Sequence, residues 1–583
     1  MILQALVGCY EALAANEKLD RPGWLETKAS WALELNEDGT LQQIVPLGLP
    51  DKKGKSTART MKLPVMVKRS SGIAANFLCD NGTYMLGIDS KGNKQRAVDC
   101  FQACAVRHLE LLQNVDAPIA RAICRFFQQW DAQQAETYPV VAPLLEELKA
   151  GGNLVFRMNG KFAQEVPEIS AAWDQAYNDH DDAPQGRCLV TGQKGPIALL
   201  HPSIKGVMGA QSSGASLVSF NSAAYESYGC VGAQGLNAPV GEYAAFAYGA
   251  ALNYMLREQD YHMQLGGTTL VYWAEGAELA YSKLLAWMMG ASDNTVEQED
   301  LRGAVNDLRN GKVALLKEIP IQPNNRFYVL GLAPNASRLS VRFFLQNSFK
   351  TFADHLSAHQ ERLHIVRPAF DEHEELSVWA LLNETANAKS KDKKPPNALV
   401  GEVMRAILMD APYPTALVTQ VEVRIRAEQN INRGKAAIIK AYMLRNVVRD
   451  QETHPLKEVL TVTLNEEATY TPYVLGRLFA VLEGLQQSAN PSINATIRER
   501  YFNAACATPA LVFPTLLKLA QNHLNKLDGG LAVYYDKQLT MLYSRLTETL
   551  PKHMSLEDQG VFQLGYYHQK QALYTKKEEK NNG

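Results

Sequence analysis

The segment TPYVLGRLFAVLEGLQQ, residues 471–487, decides the fold class of the C-terminal part of the chain. It opens on a Thr471-Pro472 pair, typical of a cap followed by proline in the first helical turn, where the missing N–H would be unpaired anyway. Apolar residues then recur every three or four positions, which is the spacing of one helix face. They are Val474, Leu478, Val481, Leu482 and Leu485. The segment predicts a long amphipathic helix.

The same kind of pattern continues to the end of the chain. Further helices are predicted at residues 493–505, from Thr508-Pro509 to a stop at Gly529-Gly530, at 531–549 and at 556–575. Ser555 and Asp558 have capping-box spacing at the start of the last one. Residues 461–583 therefore predict an all-helical bundle of about five helices joined by short loops.

Residues 1–345 carry strand patterns instead. Hairpins are predicted where alternating apolar residues flank a turn signal, in WALELNEDGTLQQIVPLG (31–48), LVFRMNGKFAQEV (154–166) and RFYVLGLAPNASRLSVRFF (326–344). Helical spacing is found at 97–131 and 241–257.

The predicted fold class is α+β, with three segments in order along the chain. A mixed α/β N-terminal domain covers 1–345. A helical connecting region with a mobile, polar segment at 383–397 covers 346–460, and the helical bundle covers 461–583.

Composition narrows the class of protein without naming a partner. Hydrophobic residues make up 46% and charged residues 21%, as in an ordinary globular protein. The net charge of -2 neither indicates nor excludes binding to nucleic acid, because basic patches can occur in a chain of balanced charge. The eight cysteines include no CxxC pair, so a zinc ribbon is not expected. The sequence shows no export signal and no apolar run of membrane-spanning length. We therefore expect a cytoplasmic protein without a metal site or cofactor and without a membrane partner.

The stretch HPSIKGVMGAQSSGASLVSFN, residues 201–221, is rich in glycine and serine and raises the question of catalysis. A serine nucleophile elbow needs the pattern G-x-S-x-G. Ser212 has Gly214 two positions after it but Ala210 two positions before it, and Ser213 fails the pattern too. We therefore do not expect an enzyme, and a hydrolase or nuclease that uses this centre is the alternative.

The same composition also suits nucleic acid. Glycine backbone, small hydroxyls and neutral amides allow close approach to phosphates and to the minor groove. A tightly packed turn region around the following helix explains the composition equally well.

Two long stretches of the centre carry a resemblance to a known family. CLVTGQKGPIALLHPSIKGVMGAQSSGASLVSFN (188–221) and SYGCVGAQGLNAPVGEYAAFAYGAALNYML (227–256) resemble the large subunit of the type I-C CRISPR surveillance complex, the Cascade of that subtype. The stretches KRSSGIAANFLCDNGTYMLG (68–87), FYVLGLAPNASRLSVRFF (327–344) and YTPYVLGRLFAVLEGLQ (470–486) fit the same family. The resemblance extends essentially from Met1 to the terminal helices.

The resemblance implies a non-catalytic subunit of RNA-guided antiviral defence. Such a subunit recognises a protospacer-adjacent motif in duplex DNA, promotes strand opening and R-loop formation, and stabilises the displaced strand. Its implied partners are target double-stranded DNA, the displaced non-target strand, guide crRNA, the Cascade backbone and guide-end-capping subunits, and a helicase–nuclease that it helps to recruit. Another implied partner is a small subunit that matches the chain's own C-terminal bundle, from roughly residue 460, made in this subtype from an internal start.

Two loops are the candidates for the motif reader and the strand-opening wedge, because glycine backbone and neutral amides can reach base edges in the minor groove. The first loop offers Lys68, Arg69, Ser70, Ser71, Gly72 and Asn76. The second offers Lys205, Gln211, Ser212, Ser213 and Asn221, with Gln234 and Asn237 nearby. For each residue the alternative is support of the fold or contact with a neighbouring subunit.

Arginines supply a second set of candidates. Arg326, Arg338 and Arg342 lie on the 326–344 hairpin and are candidate contacts to the backbone of the displaced strand, with ordinary surface charge as the alternative. Arg338 and Arg342 are an even number of residues apart and so can share one face of a strand. The bundle residues Arg477, Arg498, Arg500 and Lys518 fit solvated helix faces better than a path for a DNA strand.

Overall fold

The computed structural model describes residues 1–48, 58–67, 72–90, 92–178, 183–220, 222–227, 229–291, 297–387, 389–391, 393–449, 451, 453–546 and 549–581. The chain divides into two compact units. Unit 1 comprises residues 1, 3–202 and 219–251, and unit 2 comprises residues 2, 203–218 and 252–583.

Unit 1 mixes helices and short strands. Its helices are α1 (Ile2–Ala15), α2 (Gly82–Met85), α3 (Lys94–Leu112), α4 (Pro118–Gln129), α5 (Leu145–Ala150), α6 (Pro167–Asn178) and most of α7 (Glu242–Arg257). Its strands are β1 (Trp24–Ala29), β2 (Trp31–Leu35), β3 (Leu41–Pro46), β4 (Arg59–Pro64), β5 (Cys79–Asn81), β6 (Asn153–Met158), β7 (Lys161–Phe162), β8 (Gln185–Arg187) and β9 (Lys194–Pro196).

A five-stranded sheet organises unit 1. Its order is β3-β2-β6-β5, with β7 paired to β6, and β2 runs parallel to β6. Helices α3 and α4 supply the apolar side chains that pack with this sheet in one buried cluster, which includes Phe101, Phe126, Phe127 and Phe156. Two further pairs, β1–β4 and β8–β9, form separate two-stranded sheets.

Unit 2 contains the second sheet and the remaining helices. Its strands are β10 (Ser203–Ile204), β11 (Ala215–Ser216), β12 (His262–Leu265), β13 (Thr268–Ala274), β14 (Ala314–Leu316), β15 (Ile319–Ile321), β16 (Arg326–Asn335) and β17 (Arg338–Ser348). Its helices are α8 (Leu279–Met288), α9 (Gln298–Arg309), α10 (Phe349–Leu363), α11 (Val378–Asn383), α12 (Asn397–Leu408), α13 (Thr415–Glu428), α14 (Arg433–Tyr442), α15 (Thr471–Ala489), α16 (Ile497–Ala507), α17 (Pro509–Leu524), α18 (Gly529–Ser544) and α19 (Leu556–Asn581).

The six-stranded sheet of unit 2 has the order β10-β11-β17-β16-β13-β12. Its strands β13, β16 and β17 are antiparallel neighbours, whereas β11 joins β17 in parallel. The apolar side chains of one sheet face belong to a continuous buried cluster that extends from Leu265 to Tyr567. The helices of the connecting region and of the C-terminal bundle therefore share one core.

The bundle is built on the contact between α15 and α19. A Cβ atom at Gly476 would lie 1.9 Å from the carbonyl oxygen of Phe562, and one at Gly565 would lie 2.3 Å from that of Tyr473. Both glycines thus let the two helix backbones approach more closely than any side chain permits.

The α+β fold class is confirmed, with sheets and hairpins in the N-terminal part and helices α15–α19 at the C-terminal end. The three predicted hairpins appear as β2–β3, β6–β7 and β16–β17. The three-segment division stays a prediction, since unit 2 includes residues on both sides of positions 345 and 460. Within segment 383–397, positions 388 and 392 lie outside the described residues.

Several helix boundaries differ from prediction, including the two that follow. The helix expected over 97–131 is interrupted between Leu112 and Pro118, because proline cannot donate the interior hydrogen bond and Ala117 before it is extended, with φ -139° and ψ 139°. The Gly529-Gly530 pair begins α18 instead of ending α17. Among the described helices, none is both long and apolar enough to cross a membrane.

Candidate nucleic-acid interface

The segment 205–214, called here the central loop, leaves and re-enters the edge of the six-stranded sheet. Ser203 and Ile204 pair antiparallel with Ser216 and Ala215, which closes the loop at its base. Ser216 also pairs in parallel with Arg338 at the start of β17. The glycine-rich centre thus forms a short excursion from a sheet edge and not a strand-to-helix turn of the kind that carries a serine nucleophile.

Backbone contacts fix the path of the central loop. The Lys205 N–H donates to Asn253 Oδ1 at 2.8 Å, and the Met208 N–H donates to Thr269 Oγ1 at 3.4 Å. Gly214 has φ +99°, and a Cβ atom there would lie 2.9 Å from Ser203 Cβ and 3.0 Å from the Ile204 carbonyl oxygen. Packing therefore accounts for the glycine, while the loop keeps one defined conformation.

The polar side chains of the central loop face solvent. Lys205, Gln211, Ser212 and Ser213 are all exposed, whereas Val207 between them is buried and anchors the loop. The structure thus brings four of the predicted residues together on one exposed loop. This arrangement offers one cation, one amide and two hydroxyls to a partner.

Met208 of this loop was not among the residues predicted from the sequence to contact DNA. Met208 is 55% exposed although its backbone is fixed, and apolar side chains held in this way serve as wedges between base steps in minor-groove proteins. The signal that could have found it is a single large apolar residue between Gly206 and Gly209 in an otherwise small and polar stretch.

The other members of the second predicted set belong to unit 1. Gln234 is exposed, but the side chain of Asn237 is engaged within its own loop. Its Nδ2 donates to the carbonyl oxygens of Cys230 at 3.2 Å and Gln234 at 3.0 Å, and its Oδ1 accepts from the Ser227 N–H at 2.8 Å. Asn237 therefore braces the segment 227–237, and Asn221 lies outside the described residues.

The first predicted loop is only partly described. Lys68, Arg69, Ser70 and Ser71 lie outside the described residues, and Gly72 is exposed. The proposed contact of Asn76 with DNA does not fit its position, because this residue is only 4% exposed. Its Oδ1 accepts from the Val67 N–H at 2.8 Å, and its own N–H donates to Asp80 Oδ2 at 3.0 Å. The side chain of Asn76 therefore holds the backbone at Val67.

The hairpin arginines have different surroundings. Arg326 forms an exposed ion pair with Glu275 at 3.0 Å, and the Tyr328 hydroxyl and this carboxylate raise its pKa. Arg338 is half-buried at the start of β17. Arg342 is exposed at a register shift, where Gly331 pairs with Phe343 but Leu332 pairs with Val341. This bulge interrupts the two-residue alternation, so the even spacing of Arg338 and Arg342 does not by itself place them on one face.

Bundle arginines are partly structural, which corrects the expectation of solvated faces. Arg477 is completely buried, donating from Nε to Gln569 Oε1 at 3.0 Å and from Nη1 to the carbonyl oxygens of Asn465 and Glu466. Arg498 is half-buried against Glu499. Arg500 and Lys518 are exposed as expected.

His201 is the histidine nearest in sequence to Ser212 and Ser213. Its side chain is buried, and its Nδ1 is hydrogen-bonded to the Tyr248 hydroxyl at 2.8 Å. Burial also lowers the pKa of His201. Within the described part of the chain, no three His, Cys, Asp or Glu side chains are grouped as metal ligands.

A family model described as CRISPR-associated protein (Cas_Csd1) matches residues 6–574, nearly the whole chain. The chain belongs to the Csd1 family of CRISPR-associated proteins. This family is the large subunit of the type I-C Cascade, whose partners include crRNA and the other Cascade subunits. A search of curated proteins gave no match.

Proposed function

We propose that this large subunit recognises a short protospacer-adjacent motif in duplex target DNA, promotes strand opening and R-loop formation, and stabilises the displaced strand. In this proposal it supports recruitment of a helicase–nuclease and does not itself cut DNA. The observation that carries the proposal is the central loop, whose backbone is fixed at both ends while Lys205, Gln211, Ser212 and Ser213 face solvent.

The chemistry of the central loop fits a short motif reader. In RNA-guided recognition, base pairing with the guide reads the sequence, so the protein needs only a brief contact with a base-pair edge and with phosphates. Gln211 can donate to or accept from minor-groove edges, and Lys205 can contact a phosphate. Because the loop is already ordered by its hydrogen bonds, little conformational entropy is lost on binding.

Met208 is the wedge in this proposal. Inserting an apolar side chain at the first base step offsets part of the unstacking cost, which is roughly a few kcal/mol per step. The loop would thus combine a reader and a wedge within four residues of each other.

The wedge is tested on assembled guide-RNA complexes that carry Met208→Ala. We expect at least tenfold weaker binding to a closed target duplex, but unchanged binding to a target already mismatched beside the motif, because no unstacking remains to be assisted. Met409→Ala, at another exposed methionine (47%), is the matched control and should bind both DNAs normally. Equal loss on both DNAs would contradict the wedge.

The same complexes separate the proposal from its alternatives. Without a helicase–nuclease they should release no cleavage products with any divalent metal. Product formation abolished by Ser212→Ala or Ser213→Ala would favour the hydrolase or nuclease alternative. A pure scaffold would be indicated if Lys68→Ala with Arg69→Ala, and Lys205→Ala with Gln211→Ala, left DNA affinity unchanged at every salt concentration.

A further inference from the structure

Three aromatic rings on neighbouring strands of the six-stranded sheet form one cluster, because the ring centroid of Phe344 also lies 6.4 Å from that of Trp273. Trp273 of β13 stacks on Tyr328 of β16, with ring centroids 5.2 Å apart and planes 23° apart. Tyr328 in turn lies beside Phe344 of β17, at 6.0 Å and 12°. The exposure of the three side chains differs: Trp273 is completely buried, Tyr328 is 6% exposed and Phe344 is half-buried. Phe344 is therefore the most exposed ring of a cluster that is otherwise buried.

On this sheet face the β17 side chains are more exposed than Tyr328, Leu330 and Leu332 of β16, which are 6% exposed or less. Tyr328 pairs with Gln346 and Leu330 pairs with Phe344, so these residues share one face. Leu332 on the same face pairs with Val341, which is 39% exposed, and Gln346 is exposed. Phe344 is thus flanked along β17 by an exposed apolar side chain and an exposed amide.

A cation lies at the end of this face. Arg326 is two residues before Tyr328 on β16 and hence on the same side of the strand, and its pairing with the Tyr328 hydroxyl helps to raise its pKa. The carboxylate of Glu275, 3.0 Å from Arg326 Nη1, partly neutralises it. An aromatic surface next to a guanidinium is the combination that binds unpaired nucleic-acid strands.

The position of the face along β17 connects it to the central loop. β17 begins at Arg338, which pairs with Ser216 just after that loop. Phe344 is six residues further on, or roughly 20 Å at the ordinary rise of a strand. A strand separated at the central loop could therefore follow β17 to this ring.

We propose that Phe344, held in place by Tyr328 and Trp273, is a stacking position for an unpaired nucleobase, with Arg326 at an adjacent phosphate. The inference rests on the proposed function, in which the subunit holds the displaced strand, and names the residues that do so. Because the ring is packed against its neighbours, it presents a preorganised surface that accepts any base.

The first test measures binding of the purified full-length chain to a fluorescein-labelled single strand of 20 thymidines. Phe344→Leu keeps an apolar side chain but removes the aromatic face, so we expect about tenfold weaker binding, with only a small decrease in the unfolding midpoint from the lost ring contacts. Phe344→Trp should bind at least as tightly as the wild type. Phe370→Leu, at an 87% exposed phenylalanine outside any described stack, is the matched control and should bind normally.

A second variant gives a gain of binding. Glu275→Gln removes the carboxylate that competes for Arg326, so we expect severalfold tighter binding and a steeper salt dependence, by up to ~0.7 in the logarithmic slope. A strand of 20 uridines, tested in parallel, distinguishes a DNA strand from the guide RNA as the source of the base.

The outcomes separate this inference from the proposed function. No measurable binding of either single strand by the wild type, or unchanged affinity in both Phe344→Leu and Glu275→Gln, overturns the inference even if assembled complexes still bind duplex targets. If those complexes fail to bind duplex DNA while Phe344→Leu weakens single-strand binding, the proposed motif reading fails and the stacking position stands.

Discussion

The central loop and the α15–α19 contact both depend on glycine, yet they place polar side chains in opposite environments. In the loop, Gly214 permits a tight backbone path and the neighbouring polar side chains remain exposed. In the bundle, Gly476 allows two helices to touch, and the next residue, Arg477, is completely buried. The presence of glycine or arginine in the sequence therefore does not show that a segment is exposed. Exposure depends on whether another helix or strand packs over it.

Gly476→Ala tests the close approach of α15 and α19 and has the largest expected effect on stability. Its Cβ would lie 1.9 Å from a backbone oxygen of α19, so the helices must separate. We expect a loss of about 3 kcal/mol or more in the free energy of unfolding, measured by urea titration. Gly530→Ala has nothing within 4 Å and should change it by less than about 1 kcal/mol. Equal effects of the two changes would contradict the close contact.

The packing of α13 against α19 includes a buried carboxyl group, Glu422, whose ionisation makes the stability of the protein depend on pH. Burial raises the pKa of Glu422 from 4.5 to about 7, although Gln563 Nε2 donates to its Oε2 at 2.7 Å and Arg426 is near. A raised folded-state pKa means that the stability due to this group is fully present below about pH 4.5 and is lost as pH rises through about 7.

Glu422→Gln isolates this effect, because all other titrating groups are common to both proteins. We expect the variant to become more stable than the wild type as pH rises from 4.5 to 8, by on the order of 3 kcal/mol. Urea titrations at several pH values measure the difference. A difference that does not change with pH would show that Glu422 does not titrate in this window.

Arg477→Met and Arg500→Met together measure how much a buried and an exposed arginine contribute to stability. Methionine retains much of the side-chain volume but leaves the carbonyl oxygens of Asn465 and Glu466 without this donor, so we expect a loss of about 2 kcal/mol. Arg500→Met, in exposed surroundings on α16, should stay within about 0.5 kcal/mol of the wild type. A similar loss in both variants would remove the distinction.

The smallest expected effect on the free energy of unfolding is that of Lys205→Ala in the central loop. Lys205→Ala should leave the free energy of unfolding unchanged within about 0.5 kcal/mol, since its side chain is exposed. Binding of duplex DNA by the assembled complex should weaken by about 1 kcal/mol, with a logarithmic salt slope shallower by about 1. Lys518→Ala on α17 is the control with equal charge loss, and an identical response from it would argue against a local contact.

Much of the fold follows from local patterns. The stripe from Val474 to Leu485 predicted α15, which extends from Thr471 to Ala489, and alternation predicted the β16–β17 hairpin. Boundaries depended on finer chemistry: Thr471 is already helical, and Tyr470 occupies the N-cap position. Such details depend on which backbone donors neighbouring segments satisfy, and the local pattern does not contain that information.

The candidate site could be predicted only in part. The sequence picked out Lys205, Gln211, Ser212 and Ser213, which the structure brings together on one exposed loop. It could not show that Asn76 is buried. Nor could it show the bulge beside Arg342, because a bulge depends on pairing between two strands.

Periodicity and motifs are local along the chain, so they were enough to predict most helices and hairpins, the α+β class and the family. The burial of the polar residue Arg477 and the exposure of the apolar residues Met208 and Phe344 could be seen only in the folded chain. The physical reason is that exposure depends on what packs against a residue from distant parts of the chain, and local spacing contains no record of those partners.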